Sequence, residues 1–431
     1  MIKIPSRIEK EILSAFSGGQ VPSQGTGYVQ FGRDSELISV DKNLKATGEK
    51  DGIGVFRFVS GQFGAGKSFM LQFIREVAIK NDFVVLNANI TRECRFTGSR
   101  KEGLRLYREL IKNMSTKTQP TGGALEIVLN KWISKIRTEL ANTNNIDEEN
   151  VTTSMIMKEI RRITSEMSYM PMYSDFIRMV SRYWISASSQ SLDNNALRWL
   201  KGDYEQRSLA RNDLDIGVII DDSNWYHFIR IWTRFVVSIG YKGLILIIDE
   251  GVYLAKIGAK ARENNYDSIL AIYNDIYSGN TRNLSVFMSE TPASVEDRVR
   301  GLYSYDPLRS RLEPGRVING FSNPNSCVIT LRFLNKNELG ALLLTLSEIH
   351  AHVNKYERSI SEEDITEFVR KESSKNITGN ILPRDICMTF LAVLDIMSQE
   401  KMSFSQIYGS VPINIKTDDG SRENIDEVLD V

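Results

Sequence analysis

The chain of 431 residues is long enough for two or three domains, and its 42% hydrophobic and 25% charged residues are those of an ordinary globular protein. Basic and acidic residues both number 54, so the chain lacks the positive excess that proteins binding nucleic acid unaided usually carry. A local basic patch or a positive surface formed by an assembly stays open. The N-terminal residues lack the apolar core of a signal peptide, and no apolar run is long enough to span a bilayer. We therefore expect a cytoplasmic protein with no membrane partner.

The N-terminal region is predicted to begin with an amphipathic helix over residues 5–17 and a loop over 17–27. A brief strand at 28–31 and a second helix from Asp34 to about residue 46 follow. A turn over residues 49–54 then leads to the first strand of the core.

Five short runs rich in apolar and β-branched residues predict the strands of a parallel sheet buried on both faces, in a doubly wound α/β core. These runs lie at residues 55–59, 83–88, 244–248, 284–288 and 328–333. Helical patterns fill most of the region between the second and third runs, which predicts a large all-helical insertion at about 91–212. The predicted organisation is a nucleotide-binding core over 1–334, a helical lid over 335–408 and an acidic polar tail over 409–431.

The strongest motif follows the first predicted strand, where residues 61–68 match G-x-x-x-x-G-K-[ST] at every fixed position. A helical pattern comes next, so the motif has the strand–loop–helix setting of a phosphate-binding loop. Glycines allow backbone N–H groups to surround phosphates, Lys67 can reach the β- and γ-phosphates, and the Ser68 hydroxyl can bind Mg²⁺. The predicted nucleotide contacts are Gly61, Gln62, Phe63, Gly64, Ala65, Gly66, Lys67, Ser68 and Phe69. The alternative is a chance glycine-rich turn.

A second motif ends the third predicted strand, where five apolar residues precede Asp249 and Glu250. In a phosphate-loop protein, this pattern predicts that Asp249 holds Mg²⁺, directly or through water. Glu250 would then orient and activate the water that attacks the nucleotide. The alternative is an acidic helix cap that merely follows a strand.

The fourth predicted strand, at residues 284–288, is followed directly by the sequence Ser-Glu-Thr-Pro at residues 289–292. If this strand lies next to the one that precedes the phosphate loop, a polar side chain at its tip can contact the γ-phosphate or the attacking water. Thr291 is the first candidate and Ser289 the second. A turn set by Pro292 is an equal alternative.

Three arginines complete the candidate site. Arg309 and Arg311 follow the fourth strand, where ring-forming ATPases place an arginine finger that stabilises charge on the γ-phosphate of a neighbouring subunit. Arg311 is the favoured finger because it begins the Arg-Leu pair that ends this segment. The alternative is that either arginine forms only surface salt bridges. Arg384 opens a predicted lid helix and is either a nucleotide sensor or an ordinary arginine at the start of a helix.

The order of these motifs resembles that of AAA+ P-loop ATPases, in particular the initiator or Orc-like group. The sequence GRDSEL at residues 32–37 resembles the G-R-E-x-E-L segment of that group, which implies that Phe31, Gly32 and Arg33 lie near the adenine. A closer resemblance, over roughly residues 5–396, is to the BrxD-like ATP-binding proteins of BREX systems. It is carried by IPSRI at 4–8, QFGAGKSFMLQ at 62–72, GLRLYREL at 103–110, IIDDSNWY at 219–226 and YSYDPLRSRL at 303–312.

This resemblance implies an ATPase of prokaryotic anti-phage defence that uses ATP and Mg²⁺ and forms a homo-oligomer. Its partner would be a helicase-like or other defence protein, and DNA would be bound directly or through that partner. Two departures are visible: Glu290 stands where the family commonly has glycine before Thr-Pro, and no winged-helix domain is apparent after the lid.

Two other interpretations stay open beside the ATPase. One is a slow nucleotide-gated switch whose helical insertion presents aromatic residues to a partner, although core packing also explains those residues. They are Tyr107, Trp132, Tyr169, Tyr173, Trp184 and Trp199. The other, a small-molecule kinase, is disfavoured because the motif order suggests no acceptor pocket. A modest basic cluster formed by Arg92, Arg95, Arg100 and Lys101 is explained by DNA contact or by a solvated helix start.

Overall fold

A computed structural model describes five stretches of the chain, at residues 4–165, 172–188, 194–319, 321–375 and 381–410. Most of the predicted acidic tail, from residue 411 onward, lies outside these residues. The chain divides into two compact units. Unit 1 comprises Met1–Leu37, Ser60–Phe73 and Thr330–Val431, and unit 2 comprises Ile38–Val59 and Ile74–Ile329. This grouping differs from the predicted division at residue 334, because the N-terminal and phosphate-loop segments group with the C-terminal helices.

A five-stranded, all-parallel sheet forms the centre of unit 2. Its strands are β1 (Phe56–Ser60), β2 (Val84–Asn89), β3 (Leu244–Asp249), β4 (Leu284–Glu290) and β7 (Val328–Thr330). They lie in the order β2-β3-β4-β1-β7. The sequence prediction of five parallel strands is confirmed, although β7 ends three residues before the predicted end at 333. A separate antiparallel pair, β5 (Val317–Ile318) and β6 (Phe321–Ser322), was not predicted.

The brief strand predicted at residues 28–31 is wrong. Thr26–Tyr28 forms a 3₁₀ turn instead, in which the Tyr28 N–H donates to the Gly25 carbonyl at 3.0 Å. Gly25 has a φ of 88°, in the left-handed region that glycine adopts without strain. The glycines at 25 and 27 therefore favour a turn where two apolar residues alone suggested a strand.

The described residues between β2 and β3, where the sequence predicts an insertion at about 91–212, form mainly helices and the turns that join them. Further helices lie before β2 and after β3. The helices outside the C-terminal region are α1 (Ser6–Ser17), α2 (Asp34–Thr47), α3 (Lys67–Lys80), α4 (Glu102–Lys112), α5 (Leu125–Asn144), α6 (Thr153–Ser165), α7 (Tyr173–Ser188), α8 (Asn195–Leu200), α9 (Arg207–Leu214), α10 (Trp225–Ser238), α11 (Tyr253–Lys256), α12 (Ala259–Tyr277), α13 (Pro292–Glu296) and α14 (Asp306–Leu312).

The aromatic side chains of the insertion belong to the hydrophobic core of unit 2. Tyr107, Trp132, Tyr173, Trp184 and Trp199 are all buried. Tyr107 donates to the Leu200 carbonyl and accepts from the Trp232 indole, so its hydroxyl is satisfied inside the core. Core packing is therefore confirmed for these five residues, whereas Tyr169 lies outside the described residues.

Unit 1 has its own hydrophobic core, built from α1 and the C-terminal helices. These helices are α15 (Lys336–Asn354), α16 (Glu362–Ser374), α17 (Pro383–Glu400) and α18 (Phe404–Ser410). Capping boxes begin α15 at Asn335 and α16 at Ser361, while Pro383 occupies the first turn of α17. Among the described residues, no helix combines the length and apolarity needed to cross a membrane.

Candidate functional site

The phosphate loop connects the end of β1 to the start of α3, as its motif predicted. Gly64 and Gly66 have φ values of 74° and 94°, so the loop uses the left-handed region at two of its glycines. Among the described residues, a Cβ at Gly66 would meet no atom within 4 Å, whereas one at Gly64 would lie 2.9 Å from Leu382 Cδ2. Glycine is thus required at both positions for backbone conformation, and at Gly64 also for close packing against the residue that precedes α17.

The Lys67 ammonium lies over the loop. Its Nζ donates to the carbonyls of Gly61 at 2.9 Å and Gln62 at 3.1 Å, and it lies 5.0 Å from the ring centroid of Phe63. The Phe63 ring itself is 62% exposed. Charged phosphate oxygens are stronger acceptors for an ammonium than neutral carbonyl oxygens, so this position favours phosphate binding.

Arg33 connects the GRDSEL segment to the phosphate loop, although 32 residues separate it from its loop partner. Its buried Nη2 donates to the Ala65 carbonyl at 2.9 Å. Its Nη1 lies 3.9 Å from the Glu36 carboxylate and has no hydrogen-bond partner in the described part of the chain. Burial lowers the pKa of Arg33, and the Glu36 carboxylate partly offsets this effect. The structure therefore places a buried cation, with hydrogen-bonding capacity left, against the phosphate loop.

The neighbours of Arg33 pack tightly in unit 1. Gly32 has a φ of 69°, and a Cβ there would lie 2.3 Å from Glu338 Cδ. Glu338 accepts two hydrogen bonds from Arg332 and a third from the Asn335 N–H. Phe31 is half-buried and packs against the core of unit 1. Sequence reasoning found Gly32 and Phe31 but missed the Arg332–Glu338 pair, which joins the segment before α15 to the first turn of that helix.

The start of α17 lies beside the phosphate loop through Leu382, its N-cap residue. Arg384 is exposed, and its Cγ lies near Gly19 in the turn after α1: a Cβ on that glycine would be 3.4 Å away. The predicted role of Arg384 as a nucleotide sensor stays a prediction.

Within unit 2, Asp249 and Glu250 lie at the carboxyl end of β3. The strand register pairs Ile248 with Met288, so Asp249 and Ser289 follow side by side. The Ser289 hydroxyl donates to Asp249 Oδ1, which also accepts from the Glu250 N–H at 2.8 Å. This hydrogen bonding fixes the Asp249 carboxylate, while the Glu250 side chain stays exposed.

Glu250 has a φ of 60°, which is unusual for a residue other than glycine, asparagine or aspartate. Its N–H donates to Ser289 Oγ at 3.0 Å as well as to Asp249, and its carbonyl accepts from the Tyr253 N–H. These bonds hold the left-handed conformation, which costs roughly 1–2 kcal/mol for an L-residue with a Cβ. Such strain at the end of a strand is typical of functional sites.

The tip of β4 uses its polar side chains to build the next helix. Thr291 Oγ1 accepts from the Ser294 N–H at 3.0 Å in a capping box, with Pro292 in the first turn of α13. The buried Glu290 carboxylate accepts from the Ser294 hydroxyl. The Thr291 hydroxyl thus caps a helix, in line with the turn that the sequence left open, and its contact with a phosphate stays a prediction. Ser294 was not identified from the sequence.

The two arginines of α14 differ in their partners. Arg309 forms ion pairs with Asp306 at 3.0 Å and Glu313 at 3.9 Å. Arg311 donates to Asn274 Oδ1 at 3.0 Å and to the Pro307 carbonyl at 2.7 Å, and it is exposed. In the described stretches of the chain, no carboxylate lies within ion-pair distance of Arg311. Its positive charge is therefore uncompensated, unlike that of Arg309.

The strand order explains how these segments relate to the sheet. β4 lies between β1 and β3, so the strand with the polar tip is adjacent to the strand that precedes the phosphate loop. In a parallel sheet the carboxyl ends of neighbouring strands share one edge, and ligands of open α/β sheets bind at that edge. Asp249 is the last residue of β3 and Ser289 the second-last residue of β4, and the phosphate loop begins directly after β1.

A family model described as "BREX system ATP-binding protein BrxC/D" matches residues 4–411, nearly the whole chain. The chain belongs to the BrxC/D family. This confirms the resemblance found in the sequence and supports a role in a defence system. No match was found among the curated proteins or among the solved structures.

The residues present in this BrxC/D protein fit the ATP that the family description implies. The loop offers glycine backbone and an ammonium, and Arg33 has a buried Nη1 with remaining hydrogen-bonding capacity. Mg²⁺ binds through one or two protein oxygens together with phosphates and water, and the exposed Ser68 hydroxyl is an oxygen of the right kind.

Proposed function

We propose that the chain is an AAA+ ATPase that hydrolyses ATP to ADP and phosphate. The observation that carries this proposal is the sheet order. The phosphate loop follows β1 and the Asp249–Glu250 pair lies at the carboxyl end of β3, with β4 and its polar tip between these strands. A small-molecule kinase is not favoured, because it would need an acceptor pocket for which the sequence gives no motif.

Each residue has a proposed role in the bound state. The phosphates are bound by Lys67 and by the backbone N–H groups of residues 61–69. Mg²⁺ is held by Ser68 and Asp249. The base lies near Phe31, Gly32 and Arg33. Bound Mg²⁺ would neutralise charge that develops on the phosphates. Glu250 orients and deprotonates the attacking water, with Ser289 holding Asp249 in place.

The active form in this proposal is a homo-oligomer in the cytoplasm, with Arg311 acting on the nucleotide of a neighbouring subunit. The uncompensated charge of Arg311 supports it as the finger, because a guanidinium that is already paired with carboxylates, like that of Arg309, interacts less favourably with a phosphate. Arg384 would report the nucleotide state through the lid helix.

ATP turnover would then load or remodel a partner, such as a helicase, on foreign DNA. Membership of a BREX family supports this coupling, since its members act with other proteins of one system. The slow-switch alternative relied on the aromatic residues of the insertion as a surface for a partner. Five of these are buried, which removes most of that argument.

The test measures the ATPase rate of the purified chain over a series of protein concentrations, with and without double-stranded DNA. The Lys67→Ala variant is measured in parallel as a control. The proposal predicts a rate per molecule that rises with concentration and is absent in Lys67→Ala. Stimulation by DNA would add direct coupling to nucleic acid. Tight ATP binding with negligible turnover at every concentration would contradict the motor and favour a switch.

A further inference from the structure

The loop after β2 forms an arginine-lined pocket in unit 2. The pocket has a volume of about 250 Å³, and its lining includes Arg92, Arg95, Arg100 and Arg105, with Glu93 and Glu102. None of these residues has a role in the proposed ATPase site. We call this feature the arginine pocket.

The base of the arginine pocket is a buried ion pair. Arg95 Nη2 donates to Glu102 Oε1 at 2.7 Å, and both side chains are largely shielded from solvent. Arg95 also donates to the Arg92 carbonyl at 2.8 Å, and the Arg100 N–H donates to the second oxygen of Glu102 at 2.6 Å. The Glu102 carboxylate is therefore compensated within the loop and opposes a bound anion only weakly.

The loop around this ion pair is firmly held by the rest of unit 2. The Trp225 indole donates to the Phe96 carbonyl at 3.0 Å, and Asn265 exchanges two hydrogen bonds with Thr97. Cys94 and Phe96 are buried in the core. The arginine pocket is thus preorganised by residues that do not line its opening, which lowers the conformational cost of binding a ligand.

Arg92, Arg100 and Arg105 are exposed around the pocket, and their guanidinium groups form no ion pair within the described part of the chain. Of the two glutamates that line the pocket, Glu93 is exposed and Glu102 is paired with Arg95. The first N–H groups of α4 contribute little, since the Leu104 N–H already donates to Asp222 at 2.7 Å. The positive character of the pocket comes from its side chains.

Guanidinium groups recognise phosphates through paired, charge-assisted hydrogen bonds. The volume suits one or two phosphate groups better than a complete nucleotide, since pockets for drug-sized ligands measure about 300–1,000 Å³. We propose that the arginine pocket binds a phosphate group, supplied either by a nucleic acid strand or by a small soluble phosphate compound. The balanced total charge of the chain does not weigh against this, because the binding is local.

The test compares two variants of the full chain that lose the same charge. The pocket variant combines Arg100→Gln and Arg105→Gln, and the control combines Lys158→Gln and Arg358→Gln, which are exposed residues without an ion pair in the described residues. Because all four side chains are exposed, both variants are expected to fold, and thermal unfolding followed by circular dichroism verifies this.

One arm measures binding of a fluorescein-labelled single-stranded DNA oligonucleotide by anisotropy at several salt concentrations. Two lost phosphate contacts should weaken binding by about tenfold or more and reduce the salt slope by roughly one to two units, with the control unchanged. The other arm titrates inorganic phosphate by calorimetry, with Lys67→Ala added to every protein so that the phosphate loop does not contribute.

Loss of DNA binding in the pocket variant alone supports the proposal with a nucleic acid as the source. Phosphate binding that only the pocket variant loses, without an effect on DNA, supports a small phosphate compound. Equal losses in the pocket variant and the control, or no binding of either probe by the parent protein, would overturn the proposal.

Discussion

The phosphate loop in unit 1 and the strand tips in unit 2 organise their polar side chains in opposite ways. In the loop, Lys67 and Arg33 donate to backbone carbonyls, so side chains hold the main chain in place. At the strand tips, side chains bind one another, as Ser289 does with Asp249 and Ser294 with Glu290. The main chain of the loop is thus held in a conformation suited to binding phosphates, whereas the side-chain network at the strand tips is suited to positioning the Asp249 carboxylate.

This contrast has a measurable consequence under the proposed function. Changes in the loop region should mainly weaken ATP binding, since they disturb groups that contact the nucleotide in its ground state. Changes at the strand tips or in α14 should mainly lower the turnover rate, since they disturb groups that act in the transition state.

The largest expected effect is at α14. Arg311→Ala should lower the turnover rate by about 10³-fold or more if the residue is the arginine finger, with ATP affinity nearly unchanged. Arg309→Ala is the matched control, because its guanidinium is already paired with Asp306 and Glu313. Steady-state ATPase rates and binding of a fluorescent ATP analogue check both values. Equal effects of the two substitutions would remove the basis for choosing Arg311.

The loop side of the comparison is tested by Arg33→Ala. It removes the hydrogen bond to the Ala65 carbonyl and a buried cation beside the loop, so ATP affinity should fall by about tenfold, or about 1.4 kcal/mol. The turnover rate at saturating ATP should change little. Arg358→Ala, at an exposed position, provides the control in the same equilibrium binding assay. A full loss of turnover with normal affinity would reverse the contrast between the two regions.

The strand-tip side is tested by Ser289→Ala. The substitution removes the donor to Asp249 Oδ1 and the acceptor of the Glu250 N–H, so both carboxylates become less well positioned. We expect a turnover rate reduced by about fivefold and a higher Mg²⁺ concentration for half-maximal activity, which a loss of stability alone would not produce. An unchanged Mg²⁺ dependence would argue against a role for Ser289 in placing Asp249.

The smallest expected effect is on stability, at the Glu338 carboxylate beneath Gly32. Hydrogen bonds from Arg332 lower the pKa of Glu338, burial opposes this, and the Asn335 N–H adds to the lowering. A carboxyl with a lowered pKa stabilises the fold above its unfolded pKa and loses that contribution as the pH falls through its folded pKa.

Glu338→Gln should therefore reduce the free energy of unfolding by about 1 kcal/mol at pH 7. At about pH 3.5 the difference from the parent protein should be smaller. Urea unfolding followed by far-ultraviolet circular dichroism measures both values. A difference that grows as the pH falls would contradict the assigned cause.

The sequence predicted features that are encoded by a single segment of the chain and missed those that depend on contacts between segments. The phosphate loop is a local motif, so residues 61–68 alone indicated its position between β1 and α3. The five strands were found because buried parallel strands are apolar throughout, and the insertion was found from its helical periodicity.

Features that depend on tertiary contacts were missed. The side-by-side position of Asp249 and Ser289 results from the register of β3 and β4, which no single segment encodes. The contact of Arg33 with Ala65 likewise joins residues far apart in sequence. The predicted strand at 28–31 failed because turn-forming glycines outweighed two apolar residues.

The most direct test of the proposed ATPase is Glu250→Gln, measured for ATP affinity and for turnover in parallel with the parent protein. The substitution keeps the shape of the side chain and the backbone hydrogen bonds of residue 250 but removes the base. The account predicts ATP affinity within about twofold of the parent and a turnover rate lowered by roughly 10²–10⁴-fold. Turnover retained at the parent rate would contradict the assignment of Glu250 and, with it, the proposed mechanism.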